Sequence, residues 1–210
     1  FLRQAALDRI NKVPFSFFLA AIGLRLNDWV PEVREAARRC GQRAFGAASP
    51  KLVGEAGLLL LGRRQEWLRG DQVKLVDDIF ALSENQKAVA EIIIQRQDIW
   101  VSRAFDAALS KGILDCWLLQ IAEEAVSSSV RLKAWRTLIV GEARWRVGYD
   151  RKWIDKTFNL SRRVPRFATR AIDRPIPSEQ AIARASQDSS PAVRRVAADA
   201  LVKCRHQVVD

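Results

Sequence analysis

The chain has 210 residues, 49% hydrophobic and 28% charged, which is the composition of a globular protein and excludes a disordered or collagen-like chain. Its 35 Lys and Arg outnumber 24 Asp and Glu, so the formal charge is +11. The apolar runs are too short to cross a bilayer, and Phe1-Leu2-Arg3-Gln4 does not resemble the start of a signal peptide, so we expect no membrane partner.

Apolar residues recur along the whole chain at the spacing of a helix face, whereas stretches that alternate apolar and polar residues are scarce. This pattern predicts an all-α protein. In chain order, the apolar stripes are Leu2, Ala5, Ala6 and Ile10; Val33, Ala36, Ala37 and Cys40; Val101, Ala104, Phe105, Ala108 and Leu109; Val130, Ala134 and Leu138; Val164, Phe167, Ala168, Ala171 and Ile172; Val193, Val196, Ala197, Ala200 and Leu201.

The first residues of these stripes are 31, 68, 29, 34 and 29 positions apart, and 68 is two intervals of 34. A unit of about thirty residues is typical of stacked helical pairs. We therefore expect residues 1–210 to form a single repeat domain that is irregular between about 50 and 97. Within that irregular part, Ser49-Pro50, Asp71 and Ser83 each predict the start of a helix.

Two of the stripes are preceded by the same motif. Asp28, Pro31 and Arg34 occupy the same offsets as Asp188, Pro191 and Arg194, with Val33 and Val193 before the two arginines. In this pattern, Asp-x-x-Pro-x-Val-Arg-x-x-Ala, the Asp is suited to capping the helix and the Pro to its first turn. The Arg is expected to reach a carboxylate of an adjacent repeat, and Arg3 and Arg131 occupy the same place after Leu2 and Val130.

The motif resembles that of HEAT repeats. The resemblance implies a right-handed α-solenoid, or superhelix, of about six to seven HEAT-like helical hairpins, whose extended surface binds other macromolecules.

Residues suited to catalysis or metal binding are few. The three cysteines, Cys40, Cys116 and Cys204, lie far apart, which favours neither a disulfide framework nor a zinc site and indicates a reducing, cytoplasmic location. His206 is the only histidine and lies in a polar tail, and Cys116 lies in an apolar segment where a thiol usually packs. The sequence therefore predicts no metal, no cofactor and no small-molecule substrate, and favours a binding protein over an enzyme.

The positive charge is concentrated in one segment. Residues 131–174 contain thirteen Lys and Arg against four Asp and Glu, which is +9 of the total +11. If this segment is helical, Arg163, Arg166 and Arg170 share one face. The candidate binding residues are Arg144, Arg146, Arg151, Lys152, Lys156, Arg162, Arg163, Arg166 and Arg170, with Trp29, Trp145 and Trp153 as possible aromatic anchors.

Three functions fit these observations. The first is a scaffold that binds another protein through an acidic surface, because Arg and Trp are common anchors of protein interfaces. The second is a HEAT solenoid that binds nucleic acid, since Arg interleaved with aromatics also suits phosphate contacts and base stacking. The third is a HEAT-like alkylpurine DNA glycosylase, for which Asp98 with Trp100 and Asp115 with Trp117 are loose candidates.

Methionine is absent, even at position 1. We therefore expect either a fragment or trimmed chain, or a sequence from which methionines have been omitted, in which case some local spacings are one residue short.

Overall fold

The structure, a computed structural model, describes residues 2–10, 13–64, 67 and 71–207. Most of this part of the chain is helical, as predicted, but it also contains one pair of antiparallel strands. The helices are α1 Leu2–Arg9, α2 Ser16–Arg25, α3 Pro31–Ala47, α4 Pro50–Arg64, α5 Lys74–Ala81, α6 Ser83–Gln95, α7 Ile99–Lys111, α8 Leu118–Glu124, α9 Ser128–Val140, α10 Ser178–Ala185 and α11 Pro191–Gln207. The strands are β1 Glu142–Asp155 and β2 Leu160–Ala171, and short 3-10 turns cover Asp71–Val73 and Asp115–Trp117.

The helices pack mainly against others that are near in sequence. Helix α4 contacts α2, α6 and α7, α8 packs on α9, and α9 packs on α10 and α11. Three of the predicted stripes, those that begin at Val33 in α3, Val101 in α7 and Val130 in α9, are buried and supply much of the core. The stripe in α11 is only partly buried, and the first stripe is wrong, because Leu2 is 87% exposed and Leu7 is the residue of α1 that is buried. Small alanines within these stripes allow close approach of neighbouring helices.

The shared Asp-Pro-Val-Arg motif forms the same local structure at both places. Pro31 and Pro191 are the first residues of α3 and α11, as expected for proline in a first helical turn. The carboxylate of Asp28 accepts a hydrogen bond from the Val30 amide at 3.1 Å, and that of Asp188 accepts one from the Ser190 amide at 2.7 Å. Each Asp thus closes the turn that precedes the helix and does not cap it; Asp28 lies two residues before Val30, which occupies the N-cap position of α3.

The arginines at the motif positions make two kinds of contact. Arg34 and Arg194 donate to the backbone carbonyls of Asp28 and Asp188, at 2.9 and 2.8 Å, within their own motif. The ion pair that the sequence predicts with a carboxylate distant in sequence is made instead by Arg3 and Arg131. Arg3 contacts Asp28 at 3.0 Å, and Arg131 contacts Asp188. Arg131 contacts both carboxylate oxygens of Asp188, at 2.9 and 3.0 Å. The expected ion pair therefore holds for Arg3 and Arg131, whereas Arg34 and Arg194 brace the local turn.

The carboxyl group of Asp188 is held in its charged form. Burial alone would raise the pKa of Asp188, but hydrogen bonds from Arg131 and from the Ser190 amide, together with the charge of Arg131, outweigh burial and hold this pKa below its ordinary value of 3.8. Burial and hydrogen bonds compete in the same way at Asp28, where the Val30 amide, Arg3 and Arg25 lower the pKa.

The all-α prediction is wrong for residues 142–171. Strands β1 and β2 form an antiparallel hairpin that pairs Glu142 with Ala171 at one end and Asp155 with Leu160 at the other. The predicted helical stripe that begins at Val164 is therefore part of a strand, and no repeat begins there. The pattern misled because Val164, Phe167, Ala168 and Ala171 fall at helical spacing, although most residues of β2 are exposed and none contributes to a helix face.

We predict that Arg131→Ala lowers the free energy of unfolding by about 3–5 kcal/mol, because it leaves the buried carboxylate of Asp188 without its partner. The Arg131 and Asp188 side chains are only 12% and 7% exposed. A matched control is Arg184→Ala, which removes the exposed pair with Glu123 and should cost less than about 1 kcal/mol. Urea unfolding measures both values, and equal losses would contradict the prediction.

The stabilisation from Asp188 should also depend on pH. Because its pKa is lower in the folded chain, this group stabilises the fold above its ordinary pKa, and the contribution disappears as the pH falls through the lowered value. Asp188→Asn should therefore be less stable than the wild type at pH 7, and the two proteins should converge as the pH falls below about 3.8. A gap that stays constant from pH 7 to pH 2 in urea unfolding would rule this out.

Candidate functional site

The hairpin begins where α9 ends. Gly141 follows the last residue of α9 with a φ of 79°, in the left-handed region that favours glycine, and β1 starts at the next residue. After β2, the Ile172 amide donates to the Gly141 carbonyl at 3.0 Å. Strand β1 therefore leaves the helices, and β2 returns to them, at the same place. There the foot of the hairpin packs on α7 and α9.

Arg170 fixes the hairpin to the helices. Its guanidinium donates to both carboxylate oxygens of Asp115 at 2.8 Å and to the Leu109 carbonyl at 2.8 Å, so it joins β2 to the end of α7 and to the turn that follows. Nearby, Arg174 donates to the Ile139 carbonyl at 3.3 Å, and Trp145 is half-buried against the core. Arg170 and Trp145 are therefore structural residues and not part of a free binding surface.

Strand pairing sorts the remaining residues onto two faces. Side chains that alternate along each strand, and those directly opposite across the pair, share a face, and a bulge at Val147 shifts the alternation in β1 by one residue. We name one side the ladder face, defined by Arg144, Arg146, Tyr149, Arg151, Trp153, Ser161, Arg163, Pro165, Phe167 and Thr169. The opposite face comprises Trp145, Asp150, Lys152, Arg162, Val164, Arg166, Ala168 and Arg170.

The ladder face alternates guanidinium groups with aromatic rings. Arg144 lies over the Phe167 ring with 3.9 Å to its centroid, and Arg151 lies over the Trp153 ring at 4.1 Å. Arg146 lies 5.0 Å from the Tyr149 centroid and also donates to its hydroxyl at 2.6 Å. Cation–π contact holds each guanidinium in place, and a guanidinium stacked on a ring keeps in-plane N–H groups for an anion.

A cleft of about 490 Å³ lies at the foot of the ladder face. It is formed between α9, the start of β1, the end of β2 and the side chain of Lys203 from α11. Four of its lining residues are cationic and one is acidic; in full, the lining residues are Ser129, Leu132, Lys133, Arg136, Thr137, Val140, Glu142, Arg144, Phe167, Thr169 and Lys203. Lys133 is ion-paired with Asp106, while Arg136 and Lys203 add positive charge beside Arg144.

The hairpin gathers the basic residues that the sequence singled out. Eight of the nine are exposed on the hairpin or at its tip, namely Arg144, Arg146, Arg151, Lys152, Lys156, Arg162, Arg163 and Arg166, and the ninth is the anchoring Arg170. The prediction that Arg163, Arg166 and Arg170 share a face is wrong, because in a strand Arg163 lies on the ladder face and the other two lie opposite. Arg166 also approaches Asp150 at 3.8 Å.

The three candidate aromatic anchors have different surroundings. Trp153 is 39% exposed on the ladder face, Trp145 is half-buried, and Trp29 is 67% exposed before α3, outside the hairpin. Arg136 belongs to the basic segment 131–174 but is not among the candidate binding residues. Sequence reasoning missed Lys203 as a neighbour of the patch, since only the fold brings α11 to the foot of the hairpin.

The two aspartates considered for catalysis both have structural partners. Asp98 caps α7 by accepting from the amides of Trp100 and Val101, and Asp115 binds Arg170. The side chain of His206 lies outside the described part of the chain. Cys116 is exposed in a 3-10 turn, so the expectation that its thiol packs in an apolar segment is wrong. Burial raises the pKa of Cys40.

Comparison with known protein-family models, curated proteins and solved structures gives no significant match. None of the described helices combines the length and the apolar character needed to span a bilayer.

We predict that Arg170→Ala loosens the foot of the hairpin without unfolding the helices. Removal of the bonds to Asp115 and Leu109 should raise amide hydrogen exchange near Glu142 and Ala171 on the order of tenfold, with little change in α4 or α7. Arg166→Ala is the matched control, because its ion pair with Asp150 is long and exposed, and exchange should stay within about twofold of the wild type. Equal exchange in both variants would show that Arg170 does not anchor the hairpin.

Proposed function

We propose that this chain binds double-stranded nucleic acid through the ladder face of the β-hairpin, and that a scaffold of HEAT-like helical pairs holds the hairpin in place. The observation that carries the proposal is the row of exposed arginines on this face, in which Arg144, Arg146 and Arg151 lie over aromatic rings. Arg163 lies opposite Arg151 nearer the tip. The ladder face and its cleft contain one acidic residue, Glu142.

The size of the hairpin fits a regular polyanion. A strand of about twelve residues extends roughly 40 Å at about 3.3 Å per residue. A duplex rises about 3.4 Å per base pair, so the hairpin has the length of roughly twelve base pairs. Nine Lys and Arg against three Asp and Glu in residues 142–171 give this arm most of the net charge of the chain.

The stacking of the arginines favours a duplex over a single strand. Proteins that bind single strands usually offer open aromatic faces on which bases stack. Here an arginine already lies over Phe167, Tyr149 and Trp153, which removes at least one stacking face of each ring. The rings then act as supports for guanidinium groups, and these groups suit phosphate oxygens.

An acidic protein partner is the weaker candidate. The central part of a protein–protein interface is usually depleted of Lys, Asp and Glu, with a few buried aromatic or Arg anchors. The hairpin instead exposes cations on both faces, with Lys152, Arg162 and Arg166 opposite the ladder face. Such a distribution suits phosphates that approach from more than one side.

The HEAT-like scaffold is supported by the two equivalent motifs. Val130 and Val193 are 63 residues apart, and 30 of these residues belong to the hairpin, which leaves an interval close to the predicted unit of about thirty. The Arg3–Asp28 and Arg131–Asp188 pairs link successive motif positions in the same way. On this interpretation the hairpin is an insertion between two helices of a regular array.

The test is salt-dependent binding to a 20-base-pair DNA duplex. In the variant Arg144→Glu, Arg151→Glu, Arg163→Glu we expect affinity at about 0.1 M salt to fall on the order of a hundredfold. We also expect the slope of log affinity against log salt to become shallower by roughly 0.9 for each phosphate that the variant no longer neutralises.

The matched control is Lys51→Glu, Lys74→Glu, Lys87→Glu, which changes the net charge by the same amount at exposed positions outside the hairpin. Its affinity should stay within a few-fold of the wild type. If its affinity falls as much as that of the ladder variant, the loss of binding reflects net charge alone, and the proposed site on the ladder face is wrong. Binding to poly-glutamate as tight as to the duplex would favour an acidic protein partner and overturn the proposal.

A further inference from the structure

The far end of the hairpin carries an exposed apolar group. Residues 156–159 connect the strands, and beside or within this turn Ile154, Phe158 and Leu160 are 61%, 82% and 52% exposed. Large apolar side chains so exposed at the end of a basic arm contribute nothing to the core, and burial against a partner would stabilise them. We refer to these three residues as the apolar tip.

The turn holds Phe158 outward. The carboxylate of Asp155 accepts hydrogen bonds from the amides of Thr157 at 2.8 Å and Phe158 at 3.2 Å. Asn159 adopts a φ of 53°, a left-handed conformation that asparagine tolerates, and its side chain accepts from Arg151 at 3.5 Å. Because these bonds order the turn before any partner arrives, little conformational entropy remains to be lost when Phe158 is buried.

We propose that Phe158 is a wedge that enters a bound duplex between adjacent base pairs and unstacks them, so that the protein distorts the nucleic acid as well as binding it. The inference depends on the proposed function, because the ladder face must first hold the phosphates. Proteins that kink duplexes insert side chains such as Phe, Leu and Ile between base steps while basic residues hold the backbone on either side. Arg151 and Lys156 provide such cations next to the apolar tip.

A lipid surface is the other partner that would bury an apolar tip among cations. It explains less of the hairpin, because basic residues act on a membrane only within about a Debye length, roughly 10 Å. Arg144 and Arg146 lie near the foot of the arm, twelve and ten residues before the turn that begins at Lys156, or roughly 33–40 Å along the strand. A duplex lying along the arm engages both ends.

The experiment uses a set of 16-base-pair DNA duplexes, each with 2-aminopurine at a different step, whose fluorescence rises when the base is unstacked. Wild-type protein at saturation should raise the emission at least about twofold in one or more duplexes. Phe158→Ala should abolish the rise while affinity falls less than about tenfold, and Phe158→Leu should retain part of it.

Phe17→Ala is the matched control, because Phe17 is also a largely exposed phenylalanine but lies in α2, and it should leave the signal unchanged. Since Phe158 is 82% exposed, its removal should not affect folding, which circular dichroism checks.

The outcomes separate the two proposals. Salt-sensitive binding without any rise in fluorescence, or a rise that survives Phe158→Ala, overturns the wedge and leaves duplex binding intact. No duplex binding at all overturns both. Phe158-dependent binding to vesicles of three parts phosphatidylcholine to one part phosphatidylserine, without unstacking, assigns the apolar tip to a membrane surface and also overturns the wedge.

Discussion

The ion pair between Arg131 and Asp188 makes the rest of the arrangement possible. It joins α9 to the turn that leads into α11, although 57 residues separate the partners in sequence. Both side chains are largely buried, so each needs the other to offset the loss of water around its charge. With the helices on either side held together in this way, the chain between them can leave the core as a hairpin without opening the packing.

A two-stranded hairpin has little stability of its own, so this one depends on added supports. Arg170 ties the foot to Asp115 and to the end of α7. Along the arm, stacking such as that of Arg144 on Phe167 serves the fold and the candidate interface at once, because it stiffens the strands while it orients guanidinium groups. The residues that stabilise the arm are thus largely those proposed to bind.

The sequence predicts the helical part of the fold and the location of the charge, but not the shape of the charged segment. Stripes such as Val101 to Leu109 are recognisable because each buries a helix face. The hairpin is exposed on both sides for most of its length, so its strands lack the alternation of apolar and polar residues that marks a half-buried strand. The spacing of Val164, Phe167 and Ala168 then matches a helix by coincidence. Cation–π pairs and the position of Phe158 depend on strand register, which composition does not contain.

The hydrogen bond from Ile172 to Gly141 brings the two ends of the hairpin to the same place on the helical body. Beyond the foot, which packs on α7 and α9, the arm can change in length or sequence while the helices beneath it keep their own packing. The sequence of the helical body is therefore constrained by its packing, and that of the arm by the partner it contacts. Related chains could share the body and differ in reach, with the arm shortened, lengthened or absent at this junction.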